Sequence, residues 1–164
     1  MKIALSTDHA GFEALKELKQ FLETQGHECI DFGPQSLDPA DDYPDFILPA
    51  AKAVASGDCD YGIIFGGSGE GEAMAANRVK GVRCALLYGP AITKKPIDAD
   101  GNLSEDPYEI LKLSRQHNHA NMLSLSGRFL SGEQVNRAAI VWLTTPYSDT
   151  ERHIRRVHKL DEMT

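Results

Sequence analysis

The chain has 164 residues, of which 41% are hydrophobic, 7% aromatic and 25% charged, the balance of one compact domain that buries a core without metal or disulfide staples. Its 24 acidic against 17 basic residues give a formal charge of −7, which repels phosphate backbones and acidic membrane surfaces and argues against nucleic acid as a partner. Cys29, Cys59 and Cys84 fit neither a paired metal site nor a disulfide framework, and no stretch has the length of a signal-peptide core or a membrane span, so the expected setting is a reducing cytoplasm.

Short apolar runs alternate with segments of helical period, which predicts an α/β fold: a three-layer α/β/α Rossmann-like sandwich with a five-stranded parallel sheet. Residues 1–164 read as a single domain. Lys2 to Ser6 is a first strand, followed by the turn Thr7-Asp8-His9-Ala10-Gly11. Phe12, Leu15, Leu18, Phe21 and Leu22 then recur at helical steps and stop at Gly26. Cys29 to Phe32 is a second strand, Gly33 to Asp42 a loop, and Pro44 suits the start of a helix with Ile47, Leu48, Ala51 and Val54 inward. Tyr61 to Phe65 is a third strand, and the glycine-rich run Gly66-Gly67-Ser68-Gly69-Glu70-Gly71-Glu72 leads from it into a small-residue helix over Ala73 to Asn77. Val82 to Leu87 and Met122 to Leu125 complete the strands. Helices are predicted around Tyr108 to Gln116 and Glu133 to Leu143, with a surface insert at 89–106 and a C-terminal helical tail at 149–162. In that tail Ile154, Val157 and Leu160 form a narrow apolar stripe. Arg152 and Arg156 lie about 40° apart around the axis and point away from it, so a partner subunit's cleft is a natural place for their guanidinium groups.

Open parallel sheets bind ligands beyond the carboxyl ends of their strands, where this chain places polar turns. One holds Asp8 and His9, another Ser68 to Glu72, and near the fifth strand lie His117-Asn118 and then Gly127-Arg128. Glycines at 66, 67, 69 and 71 allow backbone N–H groups to converge on an anion or a developing oxyanion. Plainer readings stand beside these. Asp8 or Thr7 could cap the first helix, His117 and His119 could be exposed helix-end residues, Glu70 and Glu72 could be partners of a helix dipole, and the basic tail could be a solvated face. The glycine run does not fit G-x-G-x-x-G, no Gly-Lys-Ser/Thr follows it, and the histidines lack H-E-x-x-H, so neither a cofactor nor a metal is expected.

Asp8-His9-Ala10-Gly11, Asp42-Tyr43-Pro44, the run Gly66 to Glu72, Ala75-Ala76-Asn77-Arg78, Arg115-Gln116-His117-Asn118, Gly127-Arg128 and Arg152-His153, in this order, resemble type B ribose-5-phosphate isomerases, the sugar-phosphate isomerase family that includes galactose-6-phosphate isomerase subunits. The resemblance implies a cofactor-free aldose–ketose isomerase of a phosphorylated sugar, working as a homodimer or dimer of dimers whose active site draws on both subunits. It assigns Glu72 as the base that moves a proton between C1 and C2. His117 and Asp8 become the pair that opens the sugar ring, Asn118 and Ser68 orient substrate oxygens, and Tyr43 lines the site. Amides of Gly67, Gly69 and Gly71 would hold the oxyanion, and His9, Arg128, Arg152 and Arg156 the phosphate. One branch of the family has a cysteine where this chain has Gly66, and the chain resembles the other, carboxylate branch. Glu70 stands where that branch has an uncharged residue, and the insert at 89–106 is longer than the family usually has.

Overall fold

The strands Lys2–Ser6 (β1), Glu28–Asp31 (β2), Tyr61–Gly66 (β3), Cys84–Leu87 (β4) and Met122–Ser126 (β5) form one parallel sheet in the order β2-β1-β3-β5-β4. This is the architecture of a computed structural model, which describes residues 1–98 and 100–163. The helices are Phe12–Thr24 (α1), Tyr43–Ser56 (α2), Glu70–Ala76 (α3), Glu109–Asn118 (α4), Gly132–Thr144 (α5) and Glu151–Asp161 (α6), and a 3-10 turn, His9–Gly11, precedes α1. Strand alternation sorts the core into two layers. Ile3, Leu5, Ile63, Phe65, Leu123 and Leu125 pack with Leu15, Leu18, Leu111, Val135 and Trp142 of α1, α4 and α5. Ala4, Ile64 and Met122 turn to the other face and meet Ile47, Ala51 and Val54 of α2 and Ala76 of α3. The expected three-layer sandwich follows, with helices on both faces of the sheet.

From β1 the chain moves to one edge for β2 and returns to place β3 on the other side of β1, so the crevice opens between the carboxyl ends of β1 and β3. β5 lies between β3 and β4, which leaves β4 as an edge strand. Element ends differ from the sequence expectation where side chains intervene. β4 begins at Cys84 instead of Val82 because the Val82 N–H closes a turn on Val79 O and the Asn77 amide clamps both backbone groups of Cys84. The helix after β3 begins at Glu70, since Gly69 supplies a left-handed residue (φ +82°) that turns the chain directly into it. Insert 89–106 has neither helix nor strand among its described residues. It is braced by Ala91 N–H on Pro107 O and by Asp98, which accepts from the Asp100 and Asn102 N–H groups.

Arg115 on α4 is 3% exposed. Its guanidinium donates to Thr145 O at 3.2 Å, to Ala120 O and to Tyr61 Oη at 2.8 Å, and lies over the Tyr61 and Trp142 rings. One side chain thereby joins β3, the end of α4 and the end of α5. The tail helix corrects the sequence reading of its apolar stripe: α6 buries His153 and Val157, Ile154 is half-buried, and Leu160 is 46% exposed. The His153 ring on this docked face meets that of His117 of α4, with centroids 4.2 Å apart.

Candidate active site

At the carboxyl end of β3 the bare Cα of Gly66 seats the carboxyl group of Glu72. A Cβ added at Gly66 would lie 1.9 Å from Glu72 Cδ and 2.1 Å from both carboxylate oxygens, so the glycine is the space that the acid occupies. Glycines at the other loop positions also meet specific neighbours. The Arg128 guanidinium lies against Gly67, with Cζ 3.0 Å from an ideal Cβ, and the Tyr43 ring lies against Gly71, with Cζ 2.9 Å from one. The loop is fastened to β5 and the turn after it. Ser126 Oγ donates to Gly67 O at 2.9 Å, Ser124 Oγ to Gly69 O at 2.7 Å, Gly127 N–H to Gly66 O at 2.9 Å and Arg128 N–H to Gly67 O at 3.2 Å. With three carbonyl groups held in this way, the peptide planes of the run are preorganised, as an oxyanion site requires. Ser68 Oγ accepts from the Glu70 N–H at 3.3 Å.

The turn after β1 faces the same crevice. Asp8, 6% exposed, accepts from the Ala10 N–H through Oδ1 at 2.9 Å, so the plainer capping reading holds for one oxygen, while Oδ2 lies 3.8 Å from His9 Nδ1. Glu72 is 5% exposed, and burial raises its pKa above the ordinary carboxylate value. Its own N–H at the start of α3 opposes the shift, the negative charge of Asp8 adds to it, and the cation of His9 opposes it. Burial therefore prevails over the helix terminus, and the acidic neighbour that acts on Glu72 is Asp8. Glu70 stays exposed on the first turn of α3. The result is a carboxylate more basic than usual, which suits a general base.

The remaining expected site residues lie elsewhere. His117 and Asn118 close α4 three residues or so ahead of β5, at the amino end of that strand, whereas Asp8, Glu72 and Arg128 follow the carboxyl ends of β1, β3 and β5. A five-residue strand separates the two levels by roughly 13–17 Å. His117 shares its end of the sheet with the tail. Burial lowers its pKa, and Arg152 and Arg156 lower it further, which keeps the ring neutral near pH 7. Arg152 Nε donates to His153 Nε2 at 3.1 Å. His119 takes a structural role instead: it ends α4 in the left-handed region (φ +50°) and stacks on Tyr147 at 4.3 Å. Asn118 lines a cavity of about 440 Å³ with Ser114, Arg83, Cys84 and Leu160 beside the β4 edge. Thus the structure brings together Asp8, His9, Tyr43, Gly67, Ser68, Gly69, Gly71, Glu72 and Arg128 in one group and His117, Arg152 and Arg156 in another.

Sequence reasoning missed Asp41, which bonds to His9 from the loop before α2; its one signal was the doubled acid Asp41-Asp42 ahead of Tyr43-Pro44. Asp8, His9 and Asp41 are the tightest set of metal-ligating side chains among the described residues. Their donors are committed to one another and to backbone: His9 Nδ1 lies 2.6 Å from Asp41 Oδ1, and Asp8 caps Ala10. That pairing suits a charged hydrogen-bond network better than a metal site.

A raised, buried carboxylate beside a preorganised amide loop, at the switch point of a parallel sheet, defines an enzyme of the α/β class built for proton transfer next to a carbonyl. The chain belongs to the Ribose/Galactose Isomerase family, whose profile matches residues 3–98 and 104–160 and breaks only inside the insert. Ribose-5-phosphate isomerase B of Mycolicibacterium paratuberculosis is 36% identical over 162 residues, covering 99% of this chain and 91% of that protein. Among solved structures, the ribose 5-phosphate isomerase of Thermotoga maritima superposes with a TM-score of 0.83 at 35% identity, over 98% of this chain and 97% of the other. The Mycoplasma genitalium ribose-5-phosphate isomerase B with bound ribulose-5-phosphate gives 0.82 at 32% identity, over 99% and 95%. The chain is an aldose–ketose isomerase of this family.

Proposed function

We propose that this enzyme interconverts ribose 5-phosphate and ribulose 5-phosphate without a cofactor, in the cytoplasm, as a homodimer or dimer of dimers with its active site shared between subunits. The observation that carries the reading is the Glu72 carboxyl seated on Gly66 beside Asp8. His117 and Asp8 open the furanose ring, and the neutral His117 imidazole is able to take the proton of the anomeric hydroxyl. Glu72 then removes the C2 proton of the open aldose. The electron pair moves onto the carbonyl oxygen, where amides of the Gly67 to Gly71 run and Ser68 stabilise the enediolate; the O2 hydroxyl proton passes to O1, and Glu72 returns the proton to C1 as C2 becomes the carbonyl. Loss of one such oxyanion donor costs about 3–4 kcal/mol of barrier. Tyr43 against Gly71 forms a wall of the site and Asn118 orients sugar oxygens.

The places of the groups support a shared site. His117, Arg152 and Arg156 stand at the amino end of the sheet, too far from Glu72 of the same chain to act with it on one pentose phosphate. A second copy that brings those groups over the Glu72 crevice completes the site. The basic groups then converge on one cleft, so an acidic protein still attracts a dianion. No helix among the described residues is long and apolar enough to cross a bilayer.

A panel of phosphorylated aldoses from four to six carbons, followed by ketose formation in deuterated water, tests the proposal. Fastest turnover of ribose 5-phosphate, with deuterium entering C1 of the ketose, is the expected result. Faster turnover of a tetrose or hexose phosphate would overturn the substrate assignment, and an absence of both ketose and exchange with every sugar would overturn catalysis.

A further inference from the structure

The His9 side chain is held from a distant part of the chain. The Asp41 carboxylate accepts from the His9 backbone N–H at 3.2 and 3.1 Å through its two oxygens, and Oδ1 lies 2.6 Å from His9 Nδ1. The Asp41 side chain is 7% exposed and that of His9 29%, so the carboxylate is sheltered while the imidazole keeps an edge open to solvent. Asp41 is itself set by a local turn: its N–H donates to Asp38 O at 3.1 Å, and Asp38 Oδ1 accepts from the Ala40 N–H at 3.0 Å. The loop between β2 and α2 thus grips the turn after β1 through one carboxylate.

We propose that Asp41 is a positioning residue for phosphate binding: by accepting from Nδ1–H and the backbone N–H of His9 it fixes the ring and holds it as the imidazolium, so that Nε2–H is the donor presented to a phosphoryl oxygen. The proposal deepens the isomerase reading above and rests on it for the identity of the phosphate. A carboxylate on Nδ1 keeps a proton there, so Nε2 carries a second proton and donates only in the cationic ring. Asp41 also sustains the cationic ring. The charged groups that face His9 are Asp41, Asp8 and Glu72, which favour the cation, and Arg128, which opposes it. The hydrogen bond to Asp41 is the largest influence and leaves the His9 pKa raised above its ordinary value of 6.5. Without that carboxylate, Arg128 beside the ring favours the neutral form as two basic groups compete for one site, and one charged phosphate donor becomes an uncharged one.

The test uses the full-length protein, wild type and Asp41→Asn, whose side-chain oxygen preserves an acceptor without the charge. Histidine ring 1H–15N spectra across pH are expected to show the His9 titration moved to lower pH in Asp41→Asn. The KM for ribose 5-phosphate is expected to match wild type at pH values below both His9 titrations and to exceed it by about tenfold between them, as loss of one charge-assisted hydrogen bond dictates, with kcat nearly unchanged. An unmoved His9 titration, or a KM raised equally at every pH, would overturn the proposal. Wild-type protein alone provides a second readout that no folding defect can obscure. Inorganic phosphate is expected to raise the His9 titration and to shift the Nε2 resonance more than Nδ1, and a larger shift at Nδ1, or none at either nitrogen, refutes the assignment. These spectra need no turnover, so their failure is distinct from failure of the isomerase reading.

Discussion

Replacement of Gly66 by alanine adds a single methyl group where Glu72 sits. The new Cβ would lie 1.9 Å from Glu72 Cδ, whereas real Cβ atoms keep about 3.0 Å or more from their neighbours, so the carboxyl carbon must retreat by at least about 1.1 Å. The group that must move is the tip of a flexible side chain, and Gly66 has no positive φ, so the substitution leaves the backbone unstrained and costs the fold about 1–3 kcal/mol at most. Catalysis is more sensitive than folding, because a displacement near 1 Å in a catalytic group costs about 100-fold in rate. Ketose formation from ribose 5-phosphate by Gly66→Ala is therefore expected to fall about 100-fold or more in kcat, with a cooperative melt and KM little changed. The decisive comparison is with Glu72→Gln. If Gly66→Ala acts by moving Glu72, the double variant is no slower than Glu72→Gln alone, since neighbouring sites that share one mechanism are not additive. Full activity of Gly66→Ala, or independent losses that multiply in the double variant, would refute the reasoning.

Glu72→Gln by itself is expected to reduce kcat by about 10³-fold, within the usual contribution of a general base. The folded state holds the Glu72 proton at a raised pKa, so native stability falls as pH rises from the ordinary carboxylate range through that value. Removing the charge recovers that loss, and calorimetry at pH 7 should show Glu72→Gln melting a few degrees above wild type, with the difference closing in acid. Arg152→Ala and Arg156→Ala are each expected to raise KM about tenfold or more while thermal melts stay within a degree or two, because exposed charges contribute little to folding. Co-refolding of Glu72→Gln with His117→Ala chains, each nearly inactive alone, should restore about one quarter of wild-type activity, since half of the random dimers carry one intact shared site. No recovery on mixing would place both groups in a single-chain site.

The alternation of apolar runs with helical periods made the layers legible, because inward positions such as Ile3, Leu5, Ile63 and Phe65 obey the two-residue step of a strand buried on both faces. Strand order was not legible, since β5 enters between β3 and β4 through packing that no local pattern encodes. Glu72 stood out by its place in the glycine run and by resemblance, yet the balance of forces on its carboxyl became visible only with the fold, where burial and Asp8 act together. Gly66 and Glu72 also read differently once placed. By resemblance, a relative's cysteine at the glycine position would fill the space that the carboxyl takes here, so the two positions behave as one choice. Asp41 was hidden because its partner lies far away along the chain. His153 was hidden because a polar residue on the docked face of α6 breaks the apolar stripe that periodicity looks for.

Arg115 lies two positions before His117 on the last turns of α4 and is buried with carbonyl, hydroxyl and aromatic partners in place of a carboxylate among the described residues. Only a planar fork can reach Thr145, Ala120 and Tyr61 together, so even lysine there would strand a carbonyl and leave an ammonium under-solvated. Loss-of-function alleles are therefore to be sought at this buried position, and the defect they produce would be heat-sensitive turnover: the imidazole at the helix end drifts out of register before the sheet itself comes apart.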